Sequence, residues 1–265
     1  IPMNDRGEIL LDHYDKLLSS QTKIVAIAHI ANSTGTLNPI AEMIQMAHDR
    51  GAKVLVDGAQ SAAHLFVDVS ALDADFFAFS GHKAFGPTGI GVLFGKKELL
   101  EKMPPYQGGG DMISQVSFEK TSYQGPPLKF EAGTPAIAQV IALGEALSFI
   151  ERIGRVNLSL YEQKLLVYAT EKLSSIEGLT ILGRASNKGA LITFTVKGIH
   201  PLDLGMLLDL EGIAIRTGHL CAQPALRHFG VEAAARISFA AYNTFEEVDR
   251  FVQALQNIVR SMRGL

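Results

Sequence analysis

The sequence predicts an α/β fold, with a mainly parallel sheet first and a smaller α+β unit after it. Three observations predict it. Residues 23–30 (KIVAIAHI) and 53–57 (KVLVD) are short apolar, β-branched runs, and between them 38–50 (NPIAEMIQMAHDR) has apolar residues at helical spacing after an Asn-Pro start. Strand, helix, strand is a βαβ unit. Further runs at 75–80 (DFFAFS) and 89–94 (GIGVLF) extend it to a parallel or mixed sheet covered by helices over residues 1–100. Towards the C-terminus, short strands at 179–183, 189–196, 212–216 and 234–239 alternate with helices at 201–210 and 244–262, the pattern of an α+β domain.

Residues 104–128 join the halves. They are rich in Pro, Gly, Ser and Tyr, lack a sustained period, and predict a long excursion with a hairpin. Gly108, Gly109 and Gly110 lie there, away from any strand-to-helix junction, so they read as a turn and not a phosphate cradle. Helical spacing returns at 135–152 and again at 156–175, which suits a linking helix followed by the first helix of a second domain. The boundary is expected near 145–155, dividing the chain into 1–150 and 151–265.

Composition narrows the function. Of the 265 residues, 47% are hydrophobic and 19% charged, which describes an ordinary packed globule. A formal charge of −3 without a Lys/Arg run argues against nucleic acid or a membrane surface as partner. The one cysteine cannot form an internal disulfide, which points to a cytoplasmic or organelle-stromal setting. No apolar run reaches membrane-span length, and no signal-peptide layout opens the chain.

The chemistry-bearing residues cluster at strand ends. In VDGAQ (56–60), Asp57 closes an apolar strand, and capping of the next helix is the ordinary use of such a residue. In SGHK (80–83), Lys83 follows another apolar strand, where a buried ammonium is costly unless paired or covalently used. Together they suit an aldehyde cofactor: the lysine forms a Schiff base and the acid keeps a pyridine nitrogen protonated. Ser80 and His82 are suitable phosphate donors, and Gln60 suits a ring hydroxyl.

The segments HIANSTGT (29–36), VDGAQ, SGHKAFGPTGIG (80–91), FEAGTP (130–135), RTGHLCAQP (216–224) and RISFAAYNT (236–244) resemble, in order and spacing, the class V aminotransferases of fold type I. Within that family they are most similar to SufS-type cysteine desulfurases and selenocysteine lyases. The resemblance implies pyridoxal 5′-phosphate (PLP) as cofactor, with Lys83 as its Schiff-base lysine and Asp57 as partner of the pyridine nitrogen. It implies Gln60 and Asn32 near the ring and its hydroxyl, and Ser80 and His82 on the phosphate. Thr134 would reach the phosphate of the other subunit of a homodimer, and Arg236 would hold the substrate carboxylate. Independently of family, a strand-anchored guanidinium matches a carboxylate bidentately; a surface salt bridge is the alternative for Arg236, and Arg216 carries the same ambiguity.

A lone cysteine is most often a small buried hydrophobe. Around Cys221, however, Gly218, His219, Gln223 and Pro224 form a polar, turn-prone segment that presents the sulfur on a loop, where a nearby histidine can take its proton. His64, His200 and His228 lack metal-ligand spacing and read as structural or surface residues.

The resemblance implies desulfuration of L-cysteine to L-alanine, with a persulfide on Cys221 passed to an acceptor protein for iron–sulfur cluster assembly. RTGHLCAQP resembles the short-loop form of the family, served by an external acceptor. His219-Leu220 where His-His is usual, and Leu202 where zinc-acceptor relatives have His, favour a SufE-like acceptor over a SufU-like one. Selenocysteine lyase or class V aminotransferase activity is the alternative reading. The family also has an upstream segment that completes the sheet, a phosphate-binding turn and a ring-stacking residue. A chain opening at Ile1, with Met3 its first methionine, is expected to be a fragment, one piece of a split protein or a truncated, non-catalytic homologue.

Overall fold

A computed structural model describes residues 1–264. The first sheet is four-stranded in the order β1 (Ile24–Ala28), β2 (Lys53–Asp57), β3 (Phe76–Ser80), β4 (Gly91–Gly95). The first three strands are parallel and β4 closes the edge antiparallel. Strand alternation turns Val25, Ile27, Val54, Val56 and Phe77 to one core. Helix α2 (Ile40–Asp49), crossing between β1 and β2, meets them with Ile40, Met43, Ile44 and Ala47, the spacing of one helical face. Each large side chain so buried stabilises by about 1.5–3 kcal/mol. A short helix that periodicity did not reveal, α1 (Leu11–Leu17), seals this core with Tyr14, whose hydroxyl donates to the Met43 carbonyl at 3.0 Å.

After β4 come α3 (Lys97–Lys102) and a hairpin of β5 (Ile113–Val116) and β6 (Thr121–Tyr123) within the predicted excursion. Then α4 (Ile137–Ile153) and α5 (Arg155–Ser174) meet at Gly154, whose φ of +86° makes the corner. The second sheet is antiparallel, in the order β7 (Leu179–Leu182), β8 (Leu191–Val196), β10 (Ala234–Ser238), β9 (Arg216–Gly218). Helices α5, α6 (Pro201–Leu210) and α8 (Phe245–Arg263) cover it around the buried Phe194, Leu204, Phe251 and Leu255. Helix α8 starts on a reciprocal cap: Thr244 Oγ1 accepts from the Glu247 amide at 3.2 Å, and Glu247 accepts from the Thr244 amide at 3.1 Å. A short α7 (Gln223–His228) follows the cysteine segment. Among the described residues no helix is long and apolar enough to cross a membrane.

Most boundaries shift by one or two residues from the sequence reading, and two of the differences have identifiable reasons. The strand expected at 212–216 starts only at Arg216. Gly212 takes a φ of +72°, and the Ile213 amide turns back to the Leu208 carbonyl at 2.9 Å, so its donor is used; Ile213 and Ile215 reach the core through side chains alone. The first strand stops at Ala28, short of residue 30, because Ala31 and Gly35 already form a turn closed by Ala31 N–Thr36 O and Gly35 N–Ala31 O contacts of 2.9 and 2.8 Å.

One buried charge locks the first sheet. Asp75, fully buried just before β3, lies 2.6 Å from His48 Nε2 of α2 and accepts the Val54 amide of β2 at 2.8 Å. Lys53 and Lys96 approach it at 3.5 and 3.4 Å. Burial pushes its carboxyl up, but the His48 and Val54 hydrogen bonds and the His48 and Lys96 charges outweigh that, and the net shift is downward. A depressed acid contributes stability above its ordinary value of 3.8 and loses it as pH falls through the lower folded value. Asp75→Ala is therefore expected to cost roughly 3 kcal/mol at pH 7, and urea unfolding of wild type and variant should converge as pH drops below the ordinary carboxylate range.

Candidate functional site

The three parallel strands end on one edge. Register pairs Ala28 with Asp57 and Asp57 with Ala78, so the residues just past each strand are level: His29 and Asn32 after β1, Asp57 to Gln60 at and after β2, and Ser80 to Lys83 at and after β3. The crevice outside the carboxyl ends of parallel strands is where α/β sheets bind ligands. Backbone bonds stitch this edge, from His29 N to Asp57 O at 2.9 Å and from Gly58 N to Ala78 O at 2.8 Å.

Asp57 is exposed, and its carboxylate accepts the Ala59 amide at 2.8 Å. It caps no helix; residues 58–65 form a run of tight turns. Gly58 is obligatory, since a Cβ there would lie 2.0 Å from the Phe77 ring. Lys83 ends a single 3-10 turn, Gly81–Lys83, that carries the chain past the sheet. The buried ammonium expected from the sequence is corrected: Lys83 and His82 are both exposed, because β3 stops at Ser80 and the turn lifts them beyond its edge. Among the described residues Lys83 has neither ion pair nor side-chain hydrogen bond, so its amine is uncommitted. Ser80 and Gln60 are half-buried on the same edge.

The second sheet delivers the cysteine. Beyond β9, Leu220 is buried with Leu182, Leu226 and Ala234, while Cys221 next to it is an exposed free thiol on a loop. Both residues have positive φ, 53° and 55°, a left-handed conformation costing about 1–2 kcal/mol per residue. Two contacts hold it: Asn32 Nδ2 donates to the Leu220 carbonyl at 2.8 Å, and the Ala222 amide donates to the His219 carbonyl at 2.8 Å. Asn32 also accepts from Arg236 through its backbone, Nη1 to O at 2.8 Å. Asn32 thus joins the first sheet to the cysteine loop and to β10.

Arg236 sits opposite Arg216 in register. It is half-buried, its Nε is buried without a partner, and among the described residues it meets no carboxylate, which sets aside a surface salt bridge. Burial, then the like charge of Arg216, lowers its guanidinium below the ordinary value, with Cys221 opposing. A half-buried guanidinium beside the cysteine loop, free of any carboxylate among the described residues, is suited to an incoming one. Arg216 is exposed.

The remaining expected residues fall elsewhere. Thr134 is exposed on the loop before α4, without a side-chain hydrogen bond to this group among the described residues. The His219 imidazole likewise has no hydrogen bond to Cys221 among them. His64 pairs with Glu162 at 2.9 Å, His200 caps α6 by accepting the Leu202 amide at 3.3 Å, and His228 lies 3.6 Å from Asp5. The described residues include no three-residue metal cluster. His29 is an edge residue that the sequence reading does not single out: its Nδ1 is buried with no hydrogen-bond partner among the described residues, and burial pushes its imidazole below the ordinary value. The signal was available, since His29 opens HIANSTGT directly after an apolar strand. Asn32→Ala, which removes the donor to Leu220, is expected to cost about 1 kcal/mol and to raise amide hydrogen exchange across residues 219–222 with β8 unaffected.

Residues 1–251 match the family model described as aminotransferase class-V. The chain is 52% identical over 258 residues to a cysteine desulfurase of Synechococcus elongatus, covering 97% of this chain and 41% of that protein. It is 49% identical over 261 residues to a cysteine desulfurase of Escherichia coli, covering 98% of this chain and 64% of the relative. The crystal structure of the E. coli cysteine desulfurase CsdA superposes with a TM-score of 0.93 at 40% identity, over 98% of this chain and 65% of that one. The chain therefore spans about two-fifths to two-thirds of the length of the relatives it matches.

Proposed function

We propose, from the premise that the chain belongs to the aminotransferase class-V family, that it is part of a PLP-dependent cysteine desulfurase. The observation that carries this reading is the meeting at Asn32 of two sets of residues, the strand-end edge with Lys83 and Asp57 and the loop with the exposed Cys221. In this reading residues 1–150 are the remainder of the cofactor domain and 151–265 the small domain bearing the cysteine.

The residues present fit PLP. Among the described residues Lys83 offers an uncommitted amine, Asp57 an exposed carboxylate bonded only to its own turn, and Arg236 a half-buried guanidinium for a substrate carboxylate. When bound, PLP supplies an aldehyde for the substrate amine and a ring that stores electrons released at Cα. Asp57 would face the pyridine nitrogen, Gln60 and Asn32 the ring side, and Ser80 and His82 the phosphate. Arg236, with Arg216 beside it, would orient L-cysteine by its carboxylate. Lys83 would carry the Cα proton. The Cys221 thiolate would attack the substrate sulfur, forming an S–S bond as the Cβ–S bond breaks. The three-carbon remainder takes up protons and leaves as L-alanine.

We assign the persulfide to a SufE-like acceptor and iron–sulfur cluster assembly, on the short cysteine loop and on Leu202, exposed at the start of α6. A homodimer, with Thr134 reaching across, is supported by exposed apolar side chains on β4 (Val92, Leu93) and α4 (Ile137, Val140, Ile141). A single exposed thiol suits a reducing compartment, cytoplasm or organelle stroma.

Added PLP is expected to produce a visible absorption band with the wild-type chain and none with Lys83→Ala. Wild type plus L-cysteine should yield equal alanine and sulfide under a reductant, and Cys221→Ala should lose this activity by at least about 100-fold. A Cys221→Ala variant that cleaves selenocysteine but not cysteine would confine the thiol to sulfur chemistry; one indifferent for both would contradict desulfuration. A SufE-like protein should accelerate turnover and a SufU-like one should not.

A further inference from the structure

The turn that carries Asp57 and Gln60 is held from a second direction by residues that the proposed reaction does not use. Glu162 lies on the face of α5 that also buries Leu158 and Leu165, and it is itself buried. His64 Nδ1 lies 2.9 Å from each of its carboxylate oxygens, the geometry of one N–H shared between them. Seven residues before it on the same helix, Arg155 donates Nη1 to the Ala62 carbonyl at 2.8 Å and pairs through Nε with Glu151 at 2.5 Å. The His64–Glu162 and Arg155–Ala62 contacts land on residues 62–64, just beyond Gln60 and Ser61.

Beneath them, Ala63 of this turn and Ala84, next to Lys83, pack in one cluster with Ile150 and Leu158 from either side of the α4–α5 corner. The corner is thus a common support under both strand-end turns. A carboxylate on a helix's buried face is costly, and an apolar pair of similar volume packs at least as well. What the pair adds is direction, because a hydrogen bond to two carboxylate oxygens fixes the imidazole and the backbone that carries it.

We propose that His64 and Glu162, with Arg155, form a positioning clamp that holds the 57–62 turn and thereby orients Asp57 and Gln60. It rests on the reading that these two residues face PLP. Neither His64 nor Glu162 touches the reacting atoms; each acts through the turn. Gly58 against Phe77 and the buried Ser61 hold the turn on its sheet side, and the clamp holds it on its helix side.

The test compares wild type, Glu162→Ala and Glu162→Gln by amide hydrogen exchange without cofactor and by absorbance titration with PLP. Glu162→Ala should speed exchange of the Ala59, Ser61 and Ala62 amides several-fold while Val54 and Val56 stay protected. It should also weaken PLP affinity about 10-fold, the scale lost when a contact supporting a ligand-holding group is removed. Glu162→Gln, which keeps an acceptor for His64, should restore most of both. Unchanged exchange in the turn, or a rise spread evenly along α5, overturns the clamp, as does failure of Glu162→Gln to restore an effect seen in Glu162→Ala. A wild-type chain that takes up no PLP contradicts the functional reading instead, and the exchange data still decide the clamp.

Discussion

Asn32 sits in the turn after β1, 188 residues before Leu220 and 204 before Arg236, yet it bonds to both. Its side-chain amide donates to the carbonyl next to the cysteine, and its own carbonyl accepts the guanidinium. Each bond contributes modestly, about 1 kcal/mol net, but they fix a relation that no local sequence preference could set. Together with the Thr193 hydroxyl on the Ser33 carbonyl and the Gly189 amide on the Gly35 carbonyl at 2.8 Å, they tie the edge bearing Lys83 and Asp57 to the sheet whose loop bears Cys221.

The same constraint accounts for the backbone at the cysteine. Two consecutive non-glycine residues in the left-handed region persist only when their surroundings over-determine them. Here Leu220 is buried in its own apolar cluster, its carbonyl is taken by Asn32, and the chain enters α7 directly afterwards. Anchoring the leucine leaves the neighbouring thiol at the surface, so burial of one residue and exposure of the next are one device. On the opposite side, the α4–α5 corner supports the turns after β2 and β3 through Ala63 and Ala84.

Much of the architecture was legible because it depends on local periodicity. The β2 and α6 spans agree with their expected bounds, and the βαβ unit follows from the apolar runs around α2. The short helices α1, α3 and α7 span only six or seven residues each, too few for periodicity to register. The strand expected at 212–216 failed because Ile213 and Ile215 are apolar for packing, while Gly212 turns their backbone away from β10. In the site, residue types pointed to a lysine, an acid and a cysteine, but not to the exposure of Lys83, which follows from where β3 ends. Nor could spacing show that Asn32 bonds the cysteine loop, that Arg236 keeps an orphaned donor, or that His64 meets Glu162 across 98 residues.

The central claim is that these two sets of residues work as one desulfurase site, and it is met most directly at the sulfur itself. Wild-type protein incubated with PLP and L-cysteine, then digested and weighed without reduction, should show the peptide containing Cys221 heavier by one sulfur atom. Lys83→Ala should leave that peptide unmodified. Alanine formed with Cys221 unmodified and no sulfur on the protein would contradict the account, because sulfur would then leave by a route that bypasses the loop Asn32 holds in place.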